Sequence, residues 1–191
     1  MKVNKPELIV EIANSHNGDF NLLKKTVDKY LELKYDKKSI KLQIFKYDKI
    51  ATNKFSYYSV YKKLYQKKNR WYSLIDYLHK NKSKIYLDIY DDYGIEVLKK
   101  KLNFIKGIKL QYGSINIPKL YEKIKFLKGK DKEIIINITS FTIDEIRVIH
   151  RQYSNISKNI TLQFGFQNYP TKFENLCFNK IKFLKKIFKK S

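Results

Sequence analysis

The fold of this chain is decided by one stretch near its start, Glu7-Leu8-Ile9-Val10-Glu11-Ile12-Ala13-Asn14-Ser15-His16-Asn17-Gly18-Asp19. The apolar run Leu8–Ile12 predicts a buried strand, and the polar residues after it predict a turn that leads into a helix. Glu11 is unusual inside such a strand, because an unpaired carboxylate is costly to bury. Two interpretations stay open. Glu11 faces solvent on a half-exposed strand, or it lies with His16 and Asn17 at the carboxyl end of a parallel strand, where α/β folds bind their ligands.

The size and composition of the chain indicate a cytoplasmic protein with one core. Its 191 residues suit a single domain of ordinary size. Cys177 is the lone cysteine, which excludes an internal disulfide. We recognise neither a signal peptide nor an apolar run long enough to span a membrane, so we expect no membrane association.

The net charge of +23 permits two interpretations. A strongly basic chain can bind nucleic acid or another anionic surface. However, three of the 41 basic residues are Arg and 38 are Lys, and this profile, also rich in Tyr, Phe, Ile and Asn, is typical of a coding sequence rich in A and T. Base-specific DNA readers rely on Arg, so nucleic-acid binding is the weaker alternative. The field would still favour anionic small-molecule substrates.

The rest of the chain repeats a short apolar strand followed by an amphipathic helix. We predict strands at about 7–13, 39–45, 84–90, 107–112, 133–138 and 159–165. We predict helices at about 20–34, 69–81, 91–102, 117–127, from near Thr142, and at 173–188, with a loop and some helix at 46–68. Helix signals include Asp19 as a cap, Pro118 in a first turn, and a capping box from Thr142 to Glu145.

Six strand–helix units, roughly 25 to 35 residues apart, imply a parallel sheet with helices outside it. Connection handedness leaves an open doubly wound sheet or a barrel. No glycine-rich phosphate fingerprint follows any strand, which disfavours dinucleotide binding. A complete eight-unit barrel needs about 250 residues. We therefore predict an α/β fold, an incomplete (β/α) TIM-type barrel with about six of eight units, as a single domain over 1–191. Its two unpaired sheet edges would need covering by a partner.

Two strands carry the same pattern with a lysine inside it, Ile40-Lys41-Leu42-Gln43 and Ile108-Lys109-Leu110-Gln111. A lysine flanked by aliphatic residues points to the opposite face from them. Either lysine alone is better interpreted as extending outward past a helix. The repeated pattern, taken with Glu11, favours a shared polar site in which two ammonium groups bind a phosphate or carboxylate. Gln43, Gln111 and Gln163, on three different strands, are expected to line the same opening.

Other polar residues are interpreted as structural. Asp88 and Asp91 flank the end of the third strand, and Asp91 is expected to cap the next helix. His79 and His150 sit late in helices and are expected to be surface or packing residues. No His pair has metal-ligand spacing, and no Ser-His-Asp or Cys-His set is present, so no metal ligand is assigned.

These residues resemble the N-terminal barrel domain of the N-acetylneuraminate (sialic acid) synthase family. The first strand and turn match the family motif Glu-Ile-Gly-x-Asn/Ala-His-x-Gly-Asp at residues 11–19. Lys41-Leu42-Gln43 matches its Lys-Phe-Gln strand, Ile108-Lys109-Leu110 its Tyr-Lys-Ile strand, and Tyr169-Pro170-Thr171 its Tyr-Pro-Thr loop. The four motifs occur in the right order and cover nearly the whole chain.

The chain also departs from the family pattern. Leu87–Asp91 replaces Ser-Thr-Pro-Phe-Asp, Asn137–Ser140 replaces Ser-Thr-Gly-Met, and Gln163-Phe164 replaces His-Cys. These changes indicate a divergent branch with an unassigned sugar acceptor. The family's Ser-Asp-His strand, its later His and its antifreeze-like C-terminal domain have no counterpart in the 191 residues. We therefore predict a C-terminally truncated member.

The resemblance implies a phosphoenolpyruvate-dependent transferase that forms a C–C bond. It would condense phosphoenolpyruvate with an amino sugar of the N-acetylmannosamine type to a nonulosonic acid, in surface-polysaccharide biosynthesis. Glu11 would be catalytic and bind a hydroxyl, while Lys41 and Lys109 would hold the phosphate and carboxylate. Further substrate-binding residues would be Gln43, Gln111, Gln163, His16, Asn17 and Tyr169. A divalent metal, Mn or Mg, would polarise the aldehyde, but its ligands are absent from this chain.

Two other functions stay open. The first is a catalytically inactive fragment or remnant of that family, completed by another chain. The second is a basic nucleic-acid-binding protein. For the enzyme, the expected partners are phosphoenolpyruvate, an amino sugar, and a second copy or a complementing chain.

Overall fold

A computed structural model describes residues 5–115, 117, 119–165, 168 and 170–188. The strands are β1 (Leu8–Glu11), β2 (Lys38–Ile44), β3 (Lys84–Ile89), β4 (Gly107–Leu110), β5 (Glu133–Asn137) and β6 (Ile160–Gln163). The α-helices are α1 (Phe20–Glu32), α2 (Tyr47–Ile50), α3 (Tyr58–Leu64), α4 (Lys68–Lys80), α5 (Asp92–Lys101), α6 (Tyr112–Ile115), α7 (Leu120–Ile124), α8 (Ile143–Ser154) and α9 (Phe178–Ile187). Short 3₁₀ turns occupy Leu102–Phe104, Lys125–Leu127 and Phe173–Leu176.

The strands form one sheet in chain order, β1-β2-β3-β4-β5-β6. β1 pairs with β2, β2 with β3, and β5 with β6, each in parallel. Parallel neighbours require crossovers, and a helix follows each strand to supply them. The predicted fold class is confirmed: an α/β fold of six parallel strands with the connectivity of an incomplete (β/α) barrel.

Contacts group the chain into two compact units, Met1–Ile108 and Lys109–Ser191, and each is described by itself. In the first unit, α1 buries Leu23, Val27 and Tyr30, spaced four and three residues apart, as an amphipathic helix does. α4 buries Trp71, Leu74, Ile75 and Leu78 in the same way. β2 contributes Ile40, Leu42 and Ile44, all 0–1% exposed.

The two faces of the first unit's sheet differ in polarity. Ile44 and Ile89 are register partners on β2 and β3, so their side chains share one face. A Cβ built on Gly94 of α5 would lie 3.4 Å from the Ile89 side chain, which places α5 against that face. Lys41 and Gln43 alternate with the aliphatic residues of β2 and therefore point to the other face.

In the second unit, β5 and β6 pair with Asn137 opposite Gln163 at their carboxyl ends. Ile134 and Ile136 of β5 are fully buried. α8 begins with the predicted capping box, because Thr142 Oγ1 accepts from the Glu145 N–H and the Glu145 carboxylate accepts from the Thr142 N–H.

The predicted helix caps of the first unit, Asp19 and Asp91, are also confirmed. Asp19 accepts from the N–H groups of Asn21 and Leu22 at the start of α1. Asp91 accepts from the Gly94 N–H at 2.9 Å and from the Lys46 N–H at 2.7 Å. The predicted role of Pro118 in a first turn lies outside the described residues.

The segment predicted as loop with some helix contains α2 and α3. Aromatic rings hold it together: Tyr47 packs edge-on against Tyr58 and Tyr65, each at 5.6 Å between ring centroids. Within the described ranges, every helix is too short or too polar to cross a lipid bilayer.

Candidate functional site

The central feature of the candidate site is one lysine held between two carboxylates. Glu11 and Lys41 are register partners on β1 and β2, which places their side chains next to each other. The Lys41 Nζ lies 2.6 Å from Glu11 Oε1 and 3.1 Å from Asp88 Oδ2 on β3. We call Glu11, Lys41 and Asp88 the acid–lysine–acid cluster.

Burial differs sharply within the acid–lysine–acid cluster. The Asp88 side chain is 0% exposed and the Lys41 side chain 4%, whereas that of Glu11 is 38% exposed. Burial alone would lower the pKa of Lys41, but the charge of Asp88 and the hydrogen bond to Glu11 outweigh it, so its pKa is raised above the ordinary value. Lys41 is therefore an ammonium group at neutral pH, and Glu11 is the member of the cluster that solvent reaches.

Two amide side chains orient the exposed carboxylate. Gln43 Nε2 donates to Glu11 Oε1 at 2.8 Å, so this oxygen accepts from both Gln43 and Lys41. Asn14, in the loop after β1, donates from Nδ2 to Gln43 Oε1 at 3.1 Å. On the other side, the Tyr90 hydroxyl lies 3.4 Å from Asp88 Oδ2. Because several donors fix both carboxylates, the cluster has a defined geometry before any ligand arrives.

The loop after β1 holds His16 in a buried position, and its predicted contact with substrate stays a prediction. His16 is 1% exposed, and its Nδ1 accepts from the Gly18 N–H at 3.0 Å. Burial lowers the pKa of His16, partly offset by the Asp19 charge. Asn17 is exposed and adopts a left-handed backbone with φ of 47°, which Asn tolerates better than most residues.

In the second unit, amide side chains gather at the carboxyl ends of the strands. Gln111, directly after β4, accepts at Oε1 from Asn137 Nδ2 at 3.2 Å. Asn137 Oδ1 accepts from the Thr139 N–H at 3.0 Å. Gln163 is the register partner of Asn137 on β6 and is exposed. The expectation that Gln43, Gln111 and Gln163 line the same opening stays a prediction.

The predicted contacts with substrate stay predictions, among them those of Lys109 and Tyr169. Lys109 is 5% exposed on β4 in the second unit, whereas Lys41 belongs to the first. The convergence of these two ammonium groups on one ligand stays a prediction. Tyr169 lies outside the described residues.

Sequence reasoning missed three residues of these clusters: Asp88, Asn14 and Asn137. Asp88 was considered only as a residue flanking the end of β3. A signal was present, because Asp88 stands between Leu87 and Ile89 as Glu11 stands between Val10 and Ile12. Asn137 similarly follows three isoleucines. A search for polar residues at the ends of apolar strands would have identified both Asp88 and Asn137.

The resemblance implies a divalent metal. Across the described residues, no group of three or more His, Cys, Asp or Glu side chains is placed to hold a metal ion. The expectation of Mn or Mg stays a prediction.

Comparison with known proteins identifies the family. A sequence model of the NeuB family matches residues 27–191, most of the chain. The chain belongs to the NeuB family. A curated relative is a protein of Methanocaldococcus jannaschii described as uncharacterized, 27% identical over 182 residues, which cover 95% of this chain and 52% of the relative.

Solved structures agree with the fold of a NeuB-family domain. An N-acetylneuraminic acid (sialic acid) synthetase from Leptospira borgpetersenii matches with a TM-score of 0.82 at 18% identity, over 96% of this chain and 62% of that one. A putative spore coat polysaccharide biosynthesis protein E from Chromobacterium violaceum matches with a TM-score of 0.80 at 20% identity, over 96% and 56% of the two chains. A spore coat polysaccharide biosynthesis protein from Bacillus subtilis gives 0.76 at 17% identity, over 100% and 52%.

These likenesses establish the fold. The chain spans about half the length of the curated relative and 52–62% of the structural neighbours. The resemblance seen in the four sequence motifs is confirmed at the level of the family.

Proposed function

We propose that this NeuB-family chain is sialic acid synthase-like and condenses phosphoenolpyruvate with an amino sugar of the N-acetylmannosamine type. A C–C bond forms between the methylene carbon of phosphoenolpyruvate and the aldehyde carbon of the sugar. Water adds to the former enol carbon, and inorganic phosphate leaves. The product is a nonulosonic acid for surface polysaccharide. Family membership and the neighbours' fold support this proposal.

The observation that carries the proposal is the pairing of Lys41 with Glu11 at 2.6 Å. Condensing an anionic enol phosphate with a polyhydroxy aldehyde requires a cation for the anion and a carboxylate for the hydroxyls. Lys41 supplies the ammonium group. Glu11, which Gln43 orients, supplies an exposed carboxylate that accepts hydrogen bonds from sugar hydroxyls.

The remaining predicted residues take supporting roles in the proposal. Lys109, Gln111, Gln163, Asn17 and Tyr169 are proposed to contact substrate. His16 is proposed to position the loop after β1, since it is buried and its Nδ1 already accepts the Gly18 N–H.

The experiment is a combined binding and turnover assay on the full chain. Calorimetry measures phosphoenolpyruvate binding, and phosphate release with mass spectrometry of the product measures turnover, with and without added Mn²⁺ or Mg²⁺. We expect Lys41→Ala and Lys109→Ala each to abolish phosphoenolpyruvate binding. The matched control is Lys29→Ala, which removes one positive charge from an exposed pair with Glu32 and should change nothing. Unchanged binding in folded Lys41→Ala and Lys109→Ala would show that the site assignment is wrong.

A second candidate is a catalytically inactive member that another chain completes. The contact between Asp88 and Lys41 favours it, because the cation meant for substrate is already paired inside the protein. In this case phosphoenolpyruvate or the sugar binds, but no phosphate is released by this chain alone.

A further inference from the structure

We infer that Asp88 competes with the anionic substrate for the Lys41 ammonium group and thereby sets the anion affinity of the site. The inference rests on the proposed function for the identity of the anion, and it assigns Asp88 a specificity-determining role. Nothing in the family comparison assigns this role, and the carboxylate stands where the resemblance places a neutral Thr.

The first step of the argument is the number of donors. An ammonium group offers three N–H donors. In Lys41, one is directed at Glu11 Oε1 and another at Asp88 Oδ2. An incoming phosphate can therefore reach at most one donor unless a carboxylate gives way.

The second step is that Asp88 is held in place. Its side chain is fully buried, and β3 fixes its backbone as the register partner of Gln43. The Tyr90 hydroxyl lies beside the same Oδ2 that contacts Lys41. Glu11, at 38% exposure, can turn toward solvent, but Asp88 has no such route.

The third step is the charge of the cluster. Within the acid–lysine–acid cluster, two carboxylates face one ammonium group. A like charge disfavours a close anion, and the low local dielectric strengthens this effect. The exposed part of the cluster is a carboxylate, which accepts from hydroxyl groups. The cluster as it stands therefore favours the donor-rich sugar over the phosphate.

The test measures binding of inorganic phosphate and of phosphoenolpyruvate to the full chain by calorimetry. Asp88→Asn keeps the shape of the side chain and an oxygen that accepts from Lys41, and Asp88→Thr is a second variant if the first fails to fold. We expect either variant to bind both anions at least about tenfold more tightly than the unmodified chain, the scale seen for close charge pairs.

Two controls separate this effect from a general change in charge. Asp76→Asn also removes one negative charge, from an exposed side chain that pairs with the partly buried Lys101, and should change anion affinity by less than about twofold. In a Lys41→Met background, Asp88→Asn should bring a clearly smaller gain, because the Lys41 cation for which the carboxylate competes is missing. A purely structural role for Asp88 would not depend on Lys41 in this way.

The outcomes distinguish this inference from the proposed function. If folded Asp88 variants gain no affinity, or Asp76→Asn gains as much, the inference is wrong, whether or not the chain turns over phosphoenolpyruvate. If the Asp88 variants gain affinity through Lys41 but no variant releases phosphate with the sugar present, the inference stands and the proposed function fails.

Discussion

At the scale of single residues, Lys41 matters most because it satisfies two carboxylates at once. The partners come from strands on either side, so each strand supplies one charge to the acid–lysine–acid cluster. Removing one member of a buried ion pair costs more than removing both, because the remaining charge stays desolvated. This asymmetry gives the cluster a measurable signature in stability.

We expect Lys41→Met to lower the free energy of unfolding by about 3–5 kcal/mol, because it removes the Lys41 ammonium group from its ion pair with the buried Asp88 carboxylate. The double variant Lys41→Met with Asp88→Asn should regain part of this loss. Urea unfolding measures both. Lys29→Met, at an exposed pair, should cost less than about 1 kcal/mol. If Lys41→Met has the same free energy of unfolding as the unmodified chain, the ion pairs of Lys41 with Glu11 and Asp88 do not contribute to stability in this way.

His16 predicts how stability depends on pH. Its pKa in the folded chain lies below the ordinary value of 6.5, so the unfolded chain binds the proton more readily. Its contribution to stability is therefore complete above about pH 6.5 and is lost as the pH falls below that value. Thermal melts across this range should show the loss.

His16→Asn should flatten this dependence, since the Asn side-chain oxygen can still accept from the Gly18 N–H. The control is His79→Asn, which removes an exposed ring stacked on Phe104. If His16→Asn loses as much stability at low pH as the unmodified chain, or if this loss disappears in His79→Asn, a group other than His16 is responsible.

The residue scale also shows what the sequence alone could predict. The proximity of Glu11 and Lys41 follows from two adjacent parallel strands with their polar residues at corresponding positions. The partnership with Asp88 depends on the register of β2 and β3, in which Gln43 rather than Lys41 lies opposite Asp88. Register between parallel strands separated by some forty residues is set by tertiary packing, so sequence periodicity could not reveal it.

At the scale of elements, the loop after β1 is fastened to the segment after α3. Gln66, 1% exposed, donates from Nε2 to the Gly18 carbonyl at 2.8 Å. Gly18 has a left-handed backbone with φ of +87°, and a Cβ there would lie 2.3 Å from the Lys63 carbonyl oxygen. The loop that carries Asn14 and His16 is thus placed by close backbone contact.

Gly18→Ala tests this contact against a matched glycine. Gly129 also has a left-handed backbone, with φ of +76°, but a Cβ there meets nothing within 4 Å. We expect Gly129→Ala to cost about 1–2 kcal/mol from backbone strain alone. Gly18→Ala should cost clearly more in the same urea titration, because the loop must also move off Lys63. Equal costs would mean that the contact contributes nothing.

The elements themselves were predictable where the helical pattern was long. α1, α4 and α5 were predicted within about two residues at both ends, and the start of α8 within about one, because each combines helical periodicity with more than two turns. The short helices α2 and α3 were predicted only as some helix within a loop. Their Tyr- and Lys-rich sequence has no helical periodicity, and ring packing across the segment determines where the turns form.

At the scale of the whole molecule, the net charge of +23 is the property least explained by the candidate site. The acid–lysine–acid cluster contains one of the 41 basic side chains, so most of the positive charge lies elsewhere. The predictions of a single domain, of a second copy and of a complementing chain stay predictions at this scale. Binding to nucleic acid is the alternative that the charge directly suggests.

A salt titration of duplex DNA binding separates the two explanations of this charge. If the lysines only reflect composition, we expect weak binding at low salt and none detectable near physiological salt. A dedicated DNA-binding surface would instead show affinity falling steeply and linearly on a log–log plot, with a slope set by the number of phosphate contacts. The chain mixed with a neutral polymer serves as the baseline.

The hydrogen bond from the Gly18 N–H to His16 Nδ1 also fixes the tautomer of that imidazole. The neutral ring must carry its hydrogen on Nε2, because Nδ1 is already the acceptor. The Nε2 atom of the neutral His16 ring can then only donate a hydrogen bond, for instance to a carbonyl or phosphoryl oxygen. His16 Nδ1 cannot take a proton from a substrate unless the turn opens, because the Gly18 N–H already donates to it. His16 therefore cannot act as a general base through Nδ1 in this conformation.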